Sequence, residues 1–337
     1  MKASVAIRSD RIVAVAKSPE AEIVGPKFVF RIGEFGWIWV ATALLFLLSA
    51  VIAPGTLSKG SLFAMLPFAG ILAIVATGQT VVIQQRGLDM SSIGMVSLAG
   101  LLVARYGNAT ESTLIALGIT FGVAALVGIA NGVLTARVHI TPLIATLAMN
   151  ALLIGAVRQI SGNAPISVPQ SIYDVSHASM AGLPVTVWLA VLFIVVLSIV
   201  TKRTVMGRRF VAVGVNPRTA IAAGIVAVRY QIGAYLISAV CFAVAGVLFA
   251  GYIGNASHTA GNDYLMPAIA AVVVGGTPFT GGRGSVIASG VAALFMAQLS
   301  QMVLALGAGS AMQLLVQALA LLIATGIRLL PALMHRR

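Results

Sequence analysis

Residues 230–252 read YQIGAYLISAVCFAVAGVLFAGY, and none of them carries a charged side chain. A helix of that length rises about 35 Å at 1.5 Å per residue, which is enough to cross a hydrocarbon core of about 30 Å. The whole chain has the same character, with 59% hydrophobic and 9% charged residues among 337. A soluble domain has roughly one quarter charged residues. The sequence therefore predicts an all-α integral membrane protein.

Ten apolar stretches are candidate membrane spans. They lie at residues 37–53, 61–83, 90–104, 113–136, 142–160, 185–201, 230–252, 267–279, 285–305 and 311–330. Spans 90–104 and 267–279 are short for a full crossing, which leaves open whether they are broken or re-entrant helices.

The distribution of Lys and Arg predicts the orientation of the chain. With the N-terminus inside, 18 of the 21 basic residues fall in inner segments, and only Lys59, Arg105 and Arg158 fall in outer ones. Basic residues are retained on the cytoplasmic side, so this asymmetry predicts ten crossings with both termini cytoplasmic. The net charge of +13 is then a topology signal with some attraction to anionic membrane lipids, and it requires no nucleic acid.

The chain divides into one membrane domain and two tails. We predict a cytoplasmic or interfacial tail at residues 1–36, a transmembrane domain at 37–330 and a cytoplasmic tail at 331–337. Within the domain, residues 161–184 form a periplasmic loop and residues 202–229 a cytoplasmic loop. The first tail has no apolar segment followed by a cleavage site, so we expect it to be retained.

The cytoplasmic loop, KRTVMGRRFVAVGVNPRTAIAAGIVAVR, contains a short helix signature. Asn216 is a favoured N-cap, Pro217 suits the first helical position, and Gly224 suits the left-handed residue that ends a helix. The pattern predicts a helix of about two turns. Such a short helix is unstable alone in water, so it must form against the membrane domain or a second protein.

Uncharged amides recur in the spans and are candidates for a polar interior. They are Gln79, Asn131, Asn150, Gln159, Gln231, Gln298, Gln301, Gln313 and Gln317. Amides can bind a hydroxylated solute without placing an ion in the membrane, which suits a neutral substrate such as a sugar. Their alternative role is hydrogen bonding between helices, worth about 0.6 to 2 kcal/mol each.

Two aspartates open the two short spans. Asp89 follows Gly87-Leu88 and is predicted inside, whereas Asp263 follows Gly261-Asn262 and is predicted outside. This arrangement favours an inverted repeat that relates spans two to five to spans seven to ten. Each aspartate can cap a helix and interact with its dipole, contact the solute, or relay a proton.

The sequence argues against an enzymatic site. Cys241 is the single cysteine, which excludes disulfides and thiolate metal sites, and the four histidines do not form a metal-ligand cluster. The glycines from Gly276 have phosphate-loop spacing, but Gly282 occupies the lysine position and Arg283 follows it. We interpret this segment as a tight turn in which small residues allow close approach, and we expect no catalytic residues and no metal.

Several runs resemble the permease subunits of bacterial sugar ABC importers of the ribose and xylose type. They are Gly78–Ile83, Gly87–Ser91, Asn131–Leu134, Pro142–Leu147, Gly207–Gly214, Ala268–Thr277 and Gly281–Ser285. The resemblance covers nearly everything after residue 60. The chain departs from the family pattern at Arg86, where glycine is common, at Ala148, where glycine is frequent, and at Leu265 and Pro267, where many relatives have Glu and Asp.

The resemblance implies a multi-pass permease of the bacterial inner membrane. It implies a second permease subunit in a homodimer or heterodimer, cytoplasmic ATP-binding subunits and a periplasmic solute-binding protein. ATP and Mg would bind to the partner ATPase, and this chain would bind no cofactor.

The resemblance also assigns roles to particular residues. The helix from Asn216 to Gly224 would be the coupling helix, with Arg208, Arg209 and Arg218 facing acceptors on the ATPase. Apart from the resemblance, the polar residues themselves predict a translocation pathway that includes Gln79, Asp89, Asn131 and Asn150, with an outward gate near Asn262, Asp263 and Tyr264.

Two other classes of protein remain open at this point. An ion-coupled secondary transporter of a small polar solute would also have ten spans, but it calls for an ionisable residue within the bundle, whereas the aspartates are predicted at span ends. A passive channel or membrane scaffold would need no coupling loop.

Overall fold

The structure, a computed structural model, describes residues 35–334, with side chains to residue 326. The predicted tails therefore lie largely outside the described residues. The described part of the chain is mostly helical. Its helices are α1 (Trp37–Ile52), α2 (Lys59–Gln84), α3 (Ser92–Thr110), α4 (Thr113–Ala136), α5 (Pro142–Ser161), α6 (Gln170–His177), α7 (Val185–Arg203), α8 (Val205–Val215), α9 (Pro217–Ala222), α10 (Ala227–Ile253), α11 (Asn262–Val274), α12 (Val286–Ala305) and α13 (Ser310–Met334).

Two small strand pairs complete the fold between residues 35 and 334. Strand β1 (Ile166–Ser167) pairs antiparallel with β4 (Asn255–Ala256), and β2 (Ser179–Met180) pairs antiparallel with β3 (Leu183–Pro184). Through the first pair, the loop at 161–184 is attached to the segment that follows α10.

Every predicted span overlaps a helix, but span 267–279 was placed too far along the chain, because α11 begins at Asn262 and ends at Val274. Within the described residues, α2, α4, α5, α7, α10 and α12 are long and apolar enough to cross a membrane, and shorter apolar helices lie at Trp37–Ile52, Asn262–Val274 and Ser310–Gly326. The prediction of an all-α integral membrane protein is confirmed. The exact number of crossings stays a prediction.

The two short spans differ from each other in the structure. Helix α3 is longer than the predicted 90–104, because it begins at Ser92 and continues through Arg105 and Asn108 to Thr110. The hydropathy pattern did not predict this extension, because the last turns of α3 are polar. Helix α11 remains short, since its 13 residues rise about 20 Å.

Helices α2 and α10 form the centre of the bundle. Helix α10 packs against α2, α3 and α4, and α2 also packs against α7 and α12. Exposed apolar side chains cover the outer faces of α4, α5 and α7, with Leu126 69%, Leu152 69% and Leu192 54% accessible. Such a surface suits contact with lipid or with another subunit.

Small residues permit the close contacts of α10. A Cβ added to Gly128 of α4 would lie 2.7 Å from the backbone of Leu236, and one added to Gly246 would lie 2.2 Å from the carbonyl oxygen of Val96. Gly122 is different, because nothing lies within 4 Å of its added Cβ. The helix backbones touch where glycine leaves room.

We expect Gly246→Ala to destabilise the protein by about 1 to 3 kcal/mol, because its methyl group would overlap the α3 backbone. Thermal unfolding of the purified protein in detergent measures this loss. Gly233→Ala on the same helix is the matched control, since nothing lies within 4 Å of its Cβ and alanine favours a helix by about 1 kcal/mol. Equal melting temperatures for the two variants would contradict the close α3–α10 contact.

Candidate functional site

The chain is not helical between α2 and α3, and this break contains Asp89. The Asp89 carboxylate is fully buried, and its Oδ1 accepts hydrogen bonds from the backbone N–H and the hydroxyl of Ser91. Its Oδ2 accepts a 3.3 Å hydrogen bond from the Ser238 hydroxyl. These donors offset part of the cost of burying a carboxylate.

Asp89 lies deeper in the bundle than the sequence suggested. Ser238 comes 11 residues after α10 begins at Ala227, or about 17 Å along that helix. The aspartate is therefore inside the bundle, although it directly precedes a helix in sequence. Asp263 instead lies in the first turn of α11, where its exposed carboxylate interacts favourably with the helix dipole.

Neighbouring helices supply the hydrogen bonds that the break cannot make internally. Asn131 on α4 donates to the Ser91 hydroxyl at 3.0 Å, and Asn150 on α5 accepts from the N–H of Gly94 at 2.8 Å. Thr146 on α5 accepts from the N–H of Met90 at 3.0 Å. Asp89, Asn131 and Asn150, which we predicted separately as pathway residues, thus meet around one break.

Gln79 lies one helical turn and a half before the break on α2. Its side chain is 1% exposed, and neither its amide nitrogen nor its amide oxygen has a hydrogen-bond partner in the structure. An unpartnered buried amide costs roughly 1 to 3 kcal/mol per group. Gln79 is thus an unpartnered polar group in the packed interior of the described bundle.

A cavity of about 430 Å³ lies at the opposite end of the bundle from α8 and α9. Helices α2, α10, α11, α12 and α13 enclose it, and Asp263 and Tyr264 are among its lining residues. Asn262 is exposed beside it. Gln301, Gln313 and Gln317 also line the cavity, which places three of the predicted amides together.

One wall of this cavity is aromatic. The Phe249 ring meets the Tyr264 ring edge-on with centroids 5.4 Å apart, and it meets Phe68 at 6.3 Å. Phe68 also contacts Tyr252 at 5.2 Å. Edge-to-face contacts of this kind hold aromatic rings in fixed orientations.

The predicted short helix is present as α9. The Asn216 side chain accepts hydrogen bonds from the N–H groups of Arg218 and Thr219, and Pro217 is the first helical residue. Gly224 has φ +78°, and the N–H of Ile225 donates to the carbonyl of Ala220. This ending is a Schellman motif, so both predicted caps are confirmed.

The sequence analysis did not identify α8, the 11-residue helix before α9. Thr204 is its N-cap and accepts from the N–H of Gly207 at 3.0 Å, and its Phe210 and Val213 are buried. The threonine and the spacing of these two apolar residues are the signals that could have revealed it.

Helix α8 is attached to the end of α2 by side chains. The Gln85 amide donates to the carbonyl of Phe210 at 2.7 Å. The Arg86 guanidinium donates to the carbonyls of Gly214, at 2.8 Å, and Val215. A cation that binds the last carbonyls of a helix satisfies groups that have no intrahelical partner and complements the helix dipole.

The glycine-rich segment between α11 and α12 joins the same contact. The N–H of Gly282 donates to the carbonyl of Gln84 at 2.8 Å, and an added Cβ on Gly281 would lie 2.3 Å from the Arg86 side chain. Both glycines have a positive φ, +79° at Gly281 and +75° at Gly282. The prediction of a tight turn with close approach is confirmed. We call the contact of α2, α8 and this segment the three-way junction, defined by residues 84–86, 210–215 and 281–282.

The surface beyond the junction is basic and partly apolar. Arg208, Arg209 and Arg218 are exposed, and residues 202–229 contain no acidic residue. Ile221 on α9 is 59% accessible. An exposed apolar side chain on a surface with several exposed arginines is suited to contact with a protein partner that has acidic groups.

These features define a multi-pass membrane protein with a polar interior and an exposed, capped helix at one end. A family model described as branched-chain amino acid transport system / permease component matches residues 61–325. The chain belongs to this family of transport permeases.

Curated relatives cover most of the chain. The ribose import permease protein of Escherichia coli K12 is 27% identical over 294 residues, which are 85% of this chain and 90% of the relative. The ribose import permease protein of Bacillus subtilis 168 is 30% identical over 83% of this chain and 88% of the relative. An autoinducer 2 import system permease protein of Photorhabdus temperata is 29% identical over 80% and 85%. No solved structure matches the chain.

We expect Gly282→Ala to destabilise the three-way junction, because its Cβ would lie 2.5 to 2.9 Å from Val215. Gly307→Ala is the matched control, since Gly307 has a similar φ of +78° and nothing lies within 4 Å of its Cβ. Both variants bear the left-handed strain of about 1 to 2 kcal/mol, and Gly282→Ala should lose about 1 to 3 kcal/mol more. Thermal unfolding compares them, and a control that melts lower than Gly282→Ala would refute the contact.

Proposed function

We propose that the chain is the membrane-spanning permease subunit of an ATP-driven importer. Its solute is a sugar or a related small polyhydroxylated molecule, delivered by a periplasmic binding protein. The observation that carries the proposal is the capped helix α9, exposed beside three arginines and fixed through α8 to the interior of the bundle. Family membership and the relatives named as import permeases support it.

The proposed topology places the three-way junction in the cytoplasm and the cavity towards the periplasm. Ten crossings, cytoplasmic termini and an inverted repeat of spans two to five and seven to ten complete it. Helices α2 and α10 begin the two proposed repeats, and both lie at the centre of the bundle. Basic residues concentrate at the end that carries α8 and α9. The chain would reside in the bacterial inner membrane.

The proposed partners follow from this topology. Cytoplasmic ATPase subunits would bind ATP and Mg and dock on α9, a second permease subunit would complete the pathway, and membrane lipids would cover the apolar faces. The proposed coupling residues are Arg208, Arg209, Asn216, Pro217, Arg218 and Gly224. The proposed pathway and gate residues are Gln79, Asp89, Asn131, Asn150, Asn262, Asp263 and Tyr264.

The chemistry of the interior favours a neutral solute over an amino acid. An amino acid carries an ammonium and a carboxylate, and its carboxylate calls for a cation or a helix N-terminus. The described side chains that line the cavity include amides and hydroxyls, with no Lys or Arg among them. The helix N-terminus at this cavity, that of α11, already carries the carboxylate of Asp263 in its first turn. Relatives named for ribose and for autoinducer 2 support the same choice.

We expect the double substitution Arg218→Glu/Ile221→Asp to remove the ATPase partner. It reverses one charge and places a carboxylate where an apolar side chain would be buried, which should weaken docking at least about 100-fold. The tagged chain is purified from its native membrane in mild detergent, and copurifying proteins and Mg-ATPase activity are measured.

The control for this experiment is Arg105→Glu, a charge reversal at an exposed position of α3. It should leave both copurification and ATPase activity unchanged. Retention of the ATPase by the double variant would show that α9 is not the docking site. Absence of any ATPase from the wild-type preparation would refute the proposed function.

The buried position of Asp89 favours a second candidate, an ion-coupled secondary transporter, because ion coupling needs an ionisable residue inside the bundle. In the importer account Asp89 belongs to the pathway because it holds the break, and its carboxylate carries no proton across the membrane.

We therefore expect Asp89→Asn to retain most of the solute uptake, because asparagine keeps an acceptor for the Ser91 N–H. The effect is measured as uptake of labelled sugar by right-side-out membrane vesicles, which contain ATP inside and are supplied with binding protein outside. A protonophore should leave uptake by the wild type unchanged. Uptake that depends on the proton gradient and disappears in Asp89→Asn would establish the second candidate instead.

A further inference from the structure

The loop between α11 and α12 carries an exposed phenylalanine at its tip. The N–H of Gly281 donates to the carbonyl of Pro278 at 3.3 Å, which closes a β-turn with Phe279 and Thr280 as its two central residues. Phe279 is 50% accessible. Small and polar residues usually occupy such turns, and a large apolar ring gains free energy when it is removed from water. The ring is therefore unusual for a turn and suits contact with a partner.

Hydrogen bonds on both sides hold this turn in place. Before the turn, the N–H of Thr277 donates to the carbonyl of Val272 at 3.1 Å, and the Thr277 side chain is fully buried. After the turn, the N–H of Gly282 donates to the carbonyl of Gln84 at the three-way junction. A side chain on a preformed turn loses less conformational entropy on binding than one on a mobile segment. The ring is thus presented in a fixed position.

The turn lies near the centre of the bundle rather than at its rim. Gly282 contacts the end of α2, and α7, α10, α11 and α12 pack around that helix. Phe279 precedes Gly282 by three residues, so its Cα is at most about 11 Å away. An aromatic residue that anchors a protein in lipid belongs at the perimeter of the bundle. The position of Phe279 thus favours a protein over a lipid as its partner.

Exposed apolar side chains continue from this turn to α9. A Cβ added to Gly282 would lie 2.5 Å from the Val215 side chain, and Val215 is the half-exposed last residue of α8. Helix α9 follows after Asn216 and exposes Ile221. Val215 therefore connects the turn to the helix that we propose as the docking site.

The charged residues of these two segments are all basic. Residues 202–229 contain six Lys and Arg and no acidic residue, and the one charged residue in 275–285 is Arg283. Arg208, Arg209 and Arg218 are exposed. An apolar surface beside several cations is complementary to an apolar pocket with acidic residues at its rim.

We propose that Phe279 is a second docking point for the cytoplasmic ATPase. Its ring enters an apolar pocket of the ATPase, and acidic residues at the rim of that pocket face the arginines. The inference rests on the proposed function, because it uses the same partner and the same end of the protein as α9.

The second docking point gives the ATPase a direct connection to the cavity. Helix α9 reaches the bundle through α8, whereas the turn at Phe279 follows α11 after only four residues. Helix α11 carries Tyr264 and Pro267 in the lining of the cavity. A displacement of Phe279 would therefore act on the cavity wall through a single helix.

Photo-cross-linking identifies the molecule that contacts position 279. The photoreactive residue p-benzoylphenylalanine replaces Phe279 in the tagged full chain, the native membrane is irradiated, and adducts of the purified chain are identified by mass spectrometry. We expect a covalent adduct with a peptide of the ATP-binding subunit. In the matched control the same residue replaces Phe63, an exposed aromatic residue near the opposite end of α2, and should give no ATPase adduct.

The lifetime of the complex tests how much the ring contributes to docking. The complex is immobilised through the tag on the permease, and release of the ATPase is followed over time. Phe279→Ala should release it about 30-fold faster, because truncation removes a central aromatic anchor. Phe279→Met keeps an apolar side chain and should stay closer to the wild type, and Phe63→Ala should match it. Thermal unfolding of the chain should be unchanged in all three variants, since both rings are exposed.

The outcomes separate this inference from the proposed function. An adduct with phospholipid alone, or an unchanged release rate in Phe279→Ala, overturns the second docking point. If Arg218→Glu/Ile221→Asp loses the ATPase while Phe279→Ala retains it like the wild type, the proposed function stands and only the inference fails. Absence of any ATPase from the wild-type preparation refutes both.

Discussion

Non-helical backbone inside a membrane bundle must find its hydrogen bonds in the neighbouring helices, because lipid offers none. Residues 85–91 impose this requirement on the fold. Thr146 and Asn150 of α5 satisfy N–H groups at the start of α3, while Ser238 of α10 satisfies Asp89. The carbonyl of Gln84, at the end of α2, is satisfied from the segment between α11 and α12. The break thus fixes the relative positions of helices that are distant in sequence.

The same break connects the two ends of the proposed mechanism. Arg86 binds the last carbonyls of α8, and three residues later Asp89 binds α10 in the bundle interior. Helix α10 continues to Phe249 at the cavity wall. A displacement of α9 by an ATPase would act on α8, then on the break, and then on the helix that bounds the cavity. Arg86 is the residue that joins α8 to the break.

Much of the fold could be predicted because a membrane-spanning helix requires a continuous apolar stretch, which is visible in the local sequence. The ten apolar stretches found in this way each overlap a helix, and the caps Asn216 and Gly224 were found because each acts within a few residues. Depth within the bundle could not be predicted, since Asp89 precedes a helix in sequence but lies beside the middle of α10. Helix α8 was missed because the hydrogen bond that attaches it to the end of α2, from the Gln85 amide to the Phe210 carbonyl, joins residues that are 125 positions apart. The cavity amides were recognised as polar, but which of them face one another is decided only by tertiary packing.

The central claim is that nucleotide state on the ATPase changes access to the cavity. Ser300→Cys places a thiol at the cavity lining, and the native Cys241 is fully buried, so it contributes little background. The measurement is the rate at which a membrane-impermeant maleimide labels this thiol in the complete complex, with ATP bound and without nucleotide. The account predicts rates that differ several-fold between the two states. Equal rates, in a complex that hydrolyses ATP and imports its solute, would contradict it.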